Sequence, residues 1–272
     1  MSQKAKLKYL LFIDTNIFLD FYRERKSDAS IKFLEQIENQ KDSLIYGSQI
    51  EMEYKKHRQY VILESLGKFG SPEWNKLSVP AAIAEMQAVE TINKSKEAIK
   101  KQQKILSDKM KSIMEDPIHH DAVYKVVQRL FKNNSPLNLN REAEIRFEIR
   151  ELAKKRFILG YPPRKKDDTS IGDAINWEWI IHCAKANNAN VIIVSRDGDY
   201  GVNYNDKWYI NDWLAQEFKQ RVNSKHKVIL TGKLSEALKL MKVNVTKEME
   251  NAEKEIIEEK QKEEILIIEK DN

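Results

Sequence analysis

The sequence predicts an α/β protein: a central parallel sheet flanked by helices, with a helical insertion and a charged helical C-terminal tail. Three observations predict it. Two short runs, Tyr9-Leu10-Leu11-Phe12-Ile13 and Val191-Ile192-Ile193-Val194-Ser195, are apolar without alternation, as strands covered on both faces are. Helical periodicity alternates with short strand-like runs in both the first and the last part of the chain. Both apolar runs end in a polar, acidic turn, Asp14-Thr15-Asn16 and Arg196-Asp197-Gly198-Asp199-Tyr200. In parallel sheets, ligands bind at the carboxyl ends of strands, so Asp14 and Asp197 stand where function is expected.

The elements follow in order. After the strand at 9–13, residues from about 28 to 40 form an amphipathic helix with Ile31, Phe33, Leu34 and Ile37 on one face. A short strand at 43–46 ends at Gly47-Ser48. Helical pattern resumes from Gln49 to about Leu66, with Glu53, Lys56, His57 and Arg58 in its middle. The longest periodic stretch covers 81–115, where Ile83, Met86, Ile99, Leu106, Met110 and Ile113 share a face among seven lysines; Asp116-Pro117 ends it. Shorter helices are expected at 120–132 and 141–157. Ser170-Ile171-Gly172-Asp173 opens a helix reaching about Ala186, and the strand at 191–195 follows. Further strands at 207–210 and 228–230 alternate with helices near 212–222 and 233–241.

These elements divide the chain into an α/β core at 1–60 and 166–242, a basic helical insertion at 61–165 and a charged tail at 243–272. In the tail, Val245, Met249, Ala252 and Ile256 form a stripe that Glu258–Glu264 interrupts. A helix packed on the body or on a second subunit, and a free acidic tail, are both open readings.

At 272 residues the chain is one large domain or a domain with a sizeable insertion. Only 8 Gly and 6 Pro exclude collagen-like and linker-like chains, and 9% aromatic residues argue against global disorder. No apolar run approaches the roughly 18 residues of a membrane span. The apolar run after Lys4, Lys6 and Lys8 breaks at Asp14 without a cleavage site, and the single cysteine, Cys183, excludes a disulfide framework or a Cys-rich zinc site. A cytoplasmic protein without membrane attachment is expected. The net charge of +5 conceals a net of +7 in 61–165 and −5 in 243–272. The basic body suits a polyanion such as nucleic acid; solvated helix faces are the alternative.

Asp14, Glu53, Asp173, Asp197 and Asp199 are the informative acids. Taken singly, Asp173 reads as a helix-start residue and Glu53 as a partner for His57 or Lys56. Gathered at one end of a sheet they would repel, and hard divalent cations are the natural neutralisers of such an oxygen-only set. Mg²⁺ or Mn²⁺ is the expected cofactor. Two such ions about 3.5–4 Å apart suit phosphodiester hydrolysis.

Four motifs then align. Phe12-Ile13-Asp14-Thr15-Asn16, Ser48-Gln49-Ile50-Glu51-Met52-Glu53-Tyr54, Gly172-Asp173-Ala174-Ile175-Asn176-Trp177 and Val194-Ser195-Arg196-Asp197-Gly198-Asp199-Tyr200 occur in an order and context that resemble the PIN-domain nucleases. The resemblance is nearest to the bacterial PIN-like group with G-D-A-x-x-W and R-D-G-D-Y signatures. It covers roughly 1–60 and 165–235 and implies a PIN-like fold. It also implies that Asp14, Glu53, Asp173 and Asp197 are catalytic metal ligands, that Asp199 is an accessory ligand, and that Asn16 and Ser195 orient those carboxylates. Glu51 stays open as a replacement for Glu53. Arg58, Arg164, Lys165 and Lys166 are candidate nucleic-acid contacts, with surface ion pairing or a solvated loop as the alternatives. His119-His120 reads as a helix-start pair, Trp177 and Trp179 as core, and Cys183 as an inert buried thiol.

The family resemblance thus implies a Mg²⁺/Mn²⁺-dependent nuclease, an endoribonuclease first. A structure-specific DNA nuclease using 81–115 as an arch, or a catalytically silent RNA-binding module, are the alternatives. A haloacid-dehalogenase-type phosphatase is excluded, because Asn16 stands where a second Asp is required. RNA is the favoured partner; the tail permits a homodimer, and an antitoxin or other protein partner is compatible.

Overall fold

The computed structural model describes residues 9–23, 27–68, 79–164 and 170–270. In chain order they form β1 (Tyr9–Ile13), α1 (Thr15–Asp20), α2 (Ser27–Asn39), β2 (Leu44–Gly47), α3 (Ser48–Lys68), α4 (Gln87–Glu115), α5 (Pro117–His120), α6 (Ala122–Phe131), β3 (Asn138–Leu139) and α7 (Ile145–Ile158). They continue with α8 (Gly172–Asn187), β4 (Asn190–Val194), β5 (Gly201–Tyr204), β6 (Lys207–Ile210), α9 (Asp212–Arg221), β7 (Val228–Thr231), α10 (Leu234–Leu240) and α11 (Lys247–Lys270). A five-stranded sheet has the order β3-β2-β1-β4-β7, and every neighbouring pair is parallel.

The unbroken apolar runs become the two central strands. Leu10, Leu11, Ile192 and Ile193 are fully buried, which explains why neither strand alternates. α8 packs on β2 and β4, and α10 on β4 and β7. β1 is paired with β2 on one side and β4 on the other, so the chain reverses its direction of travel across the sheet there, and the crevice outside those strand ends is the expected ligand site.

The boundary drawn for a separate insertion at 61–165 does not follow the packing. β3 extends the sheet beyond β2, and Val127, Leu130, Phe131, Leu139, Ile149 and Ala153 belong to the one core. Core burial by α6 and α7 outweighs the charge of their exposed faces. α4 is the part that stands apart: Val89 is its single buried residue.

The strand at 207–210 also differs from expectation. It pairs antiparallel with β5 instead of joining the parallel sheet. Asn205 and Asp206 both take left-handed backbone (φ 50° and 58°), the requirement of a tight two-residue hairpin turn. In the tail, α11 runs without a break through 258–264. Met249 and Ala252 are buried, and the helix packs on α2 and α10. Lys32–Glu248 (2.6 Å), Lys239–Glu250 (2.5 Å) and Lys260–Asp20 (2.5 Å) tie it to the body, so the free-tail reading is set aside.

Candidate active site

The strand register builds the first half of the site. Ile13 is paired with Val194, so Asp14 and Ser195 leave the sheet at the same level, and the Asp14 backbone N–H donates to Val194 O at 2.9 Å. Ser195 Oγ then donates to Asp14 Oδ2 (2.6 Å), as does Asn16 Nδ2 (2.8 Å), while the Thr15 backbone N–H donates to Oδ1 (2.6 Å). Ser195 Oγ also accepts from the Asp197 backbone N–H at 3.1 Å, which joins the two acidic turns.

The second half comes from α3 and α8. Glu53 lies in the second turn of α3, where Thr15 Oγ1 donates to its Oε2 (3.0 Å) and Gln49 Nε2 to its Oε1 (2.6 Å). Glu51 faces elsewhere and pairs with Lys55 at 2.6 Å, so Glu53 is the acid of this helix that reaches the cluster. Gly172, at the start of α8, makes that approach possible: a Cβ there would lie 2.5 Å from Glu53 Oε1 and 2.8 Å from Gln49 Nε2.

The acids act on one another and on Tyr200 through their charges. Burial raises the Asp14 carboxyl from 3.8 to about 7; the Ser195 hydrogen bond pulls it back, and the charges of Asp197 and Glu53 push it further up. The Tyr200 phenol is fully buried, and its pKa is raised by burial and then by Asp173, Asp14, Glu53 and Asp199 in turn. Its hydroxyl has no hydrogen-bond partner. Asp14, Glu53, Asp173, Asp197 and Asp199 therefore share one neighbourhood, with Tyr200 among them. Among the described residues, however, no three of them stand close enough together to cage an ion as they are.

The candidate nucleic-acid contacts fare differently. Arg58 is not at the site: it is buried, with its Nη2 2.6 Å from Asp121 Oδ2 and its guanidinium over the Tyr22 and Tyr124 rings. Its partner is 63 residues away in sequence, which is why local reading misplaced it. Arg164 is exposed, with its guanidinium over Phe157, and Lys165 and Lys166 lie outside the described residues. His119 pairs with Asp116 (2.7 Å), while Trp177, Trp179 and Cys183 are core.

Three participants escaped the sequence reading. Thr15 serves both Asp14 and Glu53, Gln49 holds Glu53, and Tyr200 fills the centre; all three lie inside the quoted motifs, which was their only signal. Arg196 is a fourth. It binds Asp20 of α1, Gly232 O (2.9 Å) and Glu253 of α11 (3.1 Å), so the tail buttresses the turn that carries Asp197.

A family model described as PIN domain matches residues 11–200, spanning all four motifs. The chain belongs to the PIN-domain family. PIN domains are in general metal-dependent nucleases acting on nucleic acids, and the parallel sheet with acids at its carboxyl edge is in keeping with that family. Comparison with curated proteins and with solved structures gave no match. No helix among the described residues is long and apolar enough to cross a membrane.

Proposed function

We propose that this PIN domain is a Mg²⁺- or Mn²⁺-dependent endoribonuclease of the cytoplasm. The observation that supports the reading is that Asp173, Asp14, Glu53 and Asp199 each lie near enough to raise the pKa of the buried Tyr200 phenol, and Asp197 and Glu53 near enough to raise that of Asp14. The donor chemistry fits a hard cation: the donors are carboxylate oxygens, and Asp14 is held by neutral donors alone, so its charge awaits a counter-charge. Asp14, Glu53, Asp173 and Asp197 would hold the ions, with Asp199 as an accessory ligand. A bound divalent ion supplies Lewis acidity toward the phosphodiester and lowers the pKa of water. Ser195, Asn16 and Thr15 fix the Asp14 carboxylate, Gln49 and Thr15 fix Glu53, and Tyr200 keeps bulk water out from beneath them.

An exposed aromatic pair supports a single-stranded substrate. Tyr161 and Trp213 stack with centroids 5.1 Å apart, and Trp213 stands two residues after Asn211, whose backbone N–H donates to Tyr200 O at 2.9 Å. Such a surface accepts an unpaired base. RNA over DNA rests on what bacterial PIN domains mostly cut. The structure-specific DNA reading draws support from α4, a 29-residue exposed helix with seven lysines. Incubation with labelled single-stranded RNA, single-stranded DNA and flapped duplexes tests the reading. Metal-dependent cleavage of RNA, lost in Asp14→Asn, is expected; preferential flap cleavage selects the alternative, and equal activity in wild type and Asp14→Asn removes both.

A further inference from the structure

Arg196 stands between Ser195 and Asp197, in the acidic turn that follows β4. An arginine in that place would be the first candidate to grip a phosphate. Its guanidinium is instead engaged within the protein. Nε donates to the carbonyl of Gly232, just past β7, at 2.9 Å; Nη1 pairs with Asp20 of α1, and Nη2 with Glu253 of α11 at 3.1 Å. The side chain is only 12% exposed, so little of it can meet a passing strand.

The partners of Arg196 are themselves fixed. Glu253 is buried, and its carboxylate also accepts from the Leu234 and Ser235 backbone N–H groups that open α10. Asp20 pairs in addition with Arg23 (3.0 Å) and with Lys260 of α11 (2.5 Å). α11 thus holds the turn twice, directly through Glu253 and by way of Asp20 through Lys260. A planar guanidinium bound on three sides keeps one orientation, which in turn restrains the backbone that carries it. From that backbone the contacts continue to the acids. The Arg196 N–H donates to Asn16 Oδ1 at 3.3 Å, and Asn16 Nδ2 donates to Asp14 Oδ2 at 2.8 Å. The next residue is Asp197, whose N–H donates to Ser195 Oγ at 3.1 Å; that hydroxyl donates to Asp14 Oδ2 at 2.6 Å.

An ion-pair network that only stabilises the fold is the competing account. It gives no reason for the contacts of four elements to meet on the one residue between Ser195 and Asp197. We propose that Arg196 is a positioning residue for Asp197, and that α11, through Glu253 and Lys260, is an integral part of the acid site although it lies beyond the 11–200 span of the family match. The role of Asp197 rests on the nuclease reading; the clamp on Arg196 rests on the contacts alone.

Two measurements on the full chain test this: amide hydrogen exchange of the metal-free protein, and Mn²⁺ affinity by calorimetry. The variants are Arg196→Met, Glu253→Gln and Lys260→Met. Glu253→Gln leaves Asp20 its three cations, and Lys260 lies at the rim of the network with its side chain 27% exposed, so these two stay informative even where Arg196→Met unfolds. Exchange at residues 195–199 is expected to rise at least about tenfold, with the β1 amides unchanged. Mn²⁺ affinity should fall by about 10- to 100-fold, most in Arg196→Met and least in Lys260→Met. In an Asp197→Asn background the same substitutions should change Mn²⁺ affinity by less than about twofold. A purely stabilising network would lower the melting temperature and change affinity alike with and without Asp197. Unchanged exchange at the turn in folded Glu253→Gln and Lys260→Met, or equal affinity losses in the two backgrounds, overturns the proposal. A wild type that binds no Mn²⁺, while its variants loosen the turn as expected, removes the nuclease reading and leaves the clamp standing.

Discussion

Two buried carboxylates in this protein are treated in opposite ways. Glu178, on α8, is clasped by Arg156 (2.8 Å) and Arg221 (2.6 Å), and its pKa is lowered despite burial, because those guanidiniums outweigh desolvation. Asp14, at the end of β1, is held by Ser195, Asn16 and the Thr15 N–H, all neutral, and its pKa rises to about 7. The same division runs through the interior. Asp121 has Arg58, and Asp20 has Arg196, Arg23 and Lys260, whereas Glu53 has Gln49 and Thr15. In the nuclease reading the difference separates scaffold from site: arginine-paired acids lock elements together, whereas Asp14 and Glu53, held by neutral donors, would take a cation as their counter-charge.

The largest effect that would break this division is in catalysis. Asp14→Asn keeps the shape and removes the charge, at the cost of the hydrogen bonds accepted by whichever oxygen its amide nitrogen replaces, and is expected to lower metal-dependent cleavage by at least about 10²-fold without loss of fold. Cleavage rates beside circular dichroism check it. On the scaffold side, Arg58→Met leaves Asp121 buried and uncompensated and is expected to cost about 3–5 kcal/mol, read as a fall in denaturation midpoint, with no change in metal affinity. An Arg58→Met protein of wild-type stability would merge the two classes.

A smaller effect lies in pH. The folded chain holds the Asp14 proton up to about pH 7, whereas the unfolded chain releases it near 3.8. Between those values the native state binds more protons, so the stability from this group is present at low pH and is lost as pH rises through 7. Metal-free wild type is therefore expected to lose up to about 3 kcal/mol between pH 5 and pH 8 from this group. Asp14→Asn should flatten the profile, and thermal melts across that range measure it. Smallest is Gly172→Ala, whose Cβ must displace Glu53 or Gln49. About tenfold lower cleavage is expected, with a change in stability within about 1 kcal/mol.

How much of this was legible in the sequence follows from the range of each interaction. β1 and β4 announce themselves by composition, and Asp14 and Asp197 by standing at their ends, since the relevant neighbours lie within a few residues. Glu53 against Glu51 needed the packing of α3 on α1, which places Thr15 against one and leaves Lys55 for the other. Two-residue β3 carries no periodicity to detect; its partner β2 defines it. Arg58 looked like a surface cation because Asp121, Tyr22 and Tyr124 reach it only in the folded chain. α11 crosses the charged stretch at 258–264 because its length is stabilised by docking at Met249 and Ala252 and by Glu253, which binds the Leu234 and Ser235 N–H groups that open α10.

Cation binding itself is the most direct test of the division between the two kinds of acid. Mn²⁺ titrated by calorimetry into metal-free protein, in buffers of differing ionisation enthalpy, reports both affinity and protons released. At pH 6, where Asp14 is mostly protonated, binding should expel about one proton, and at pH 8 almost none. Asp14→Asn should bind far more weakly and expel none. No Mn²⁺ binding, or binding whose affinity and proton release are the same in wild type and Asp14→Asn, would contradict the account.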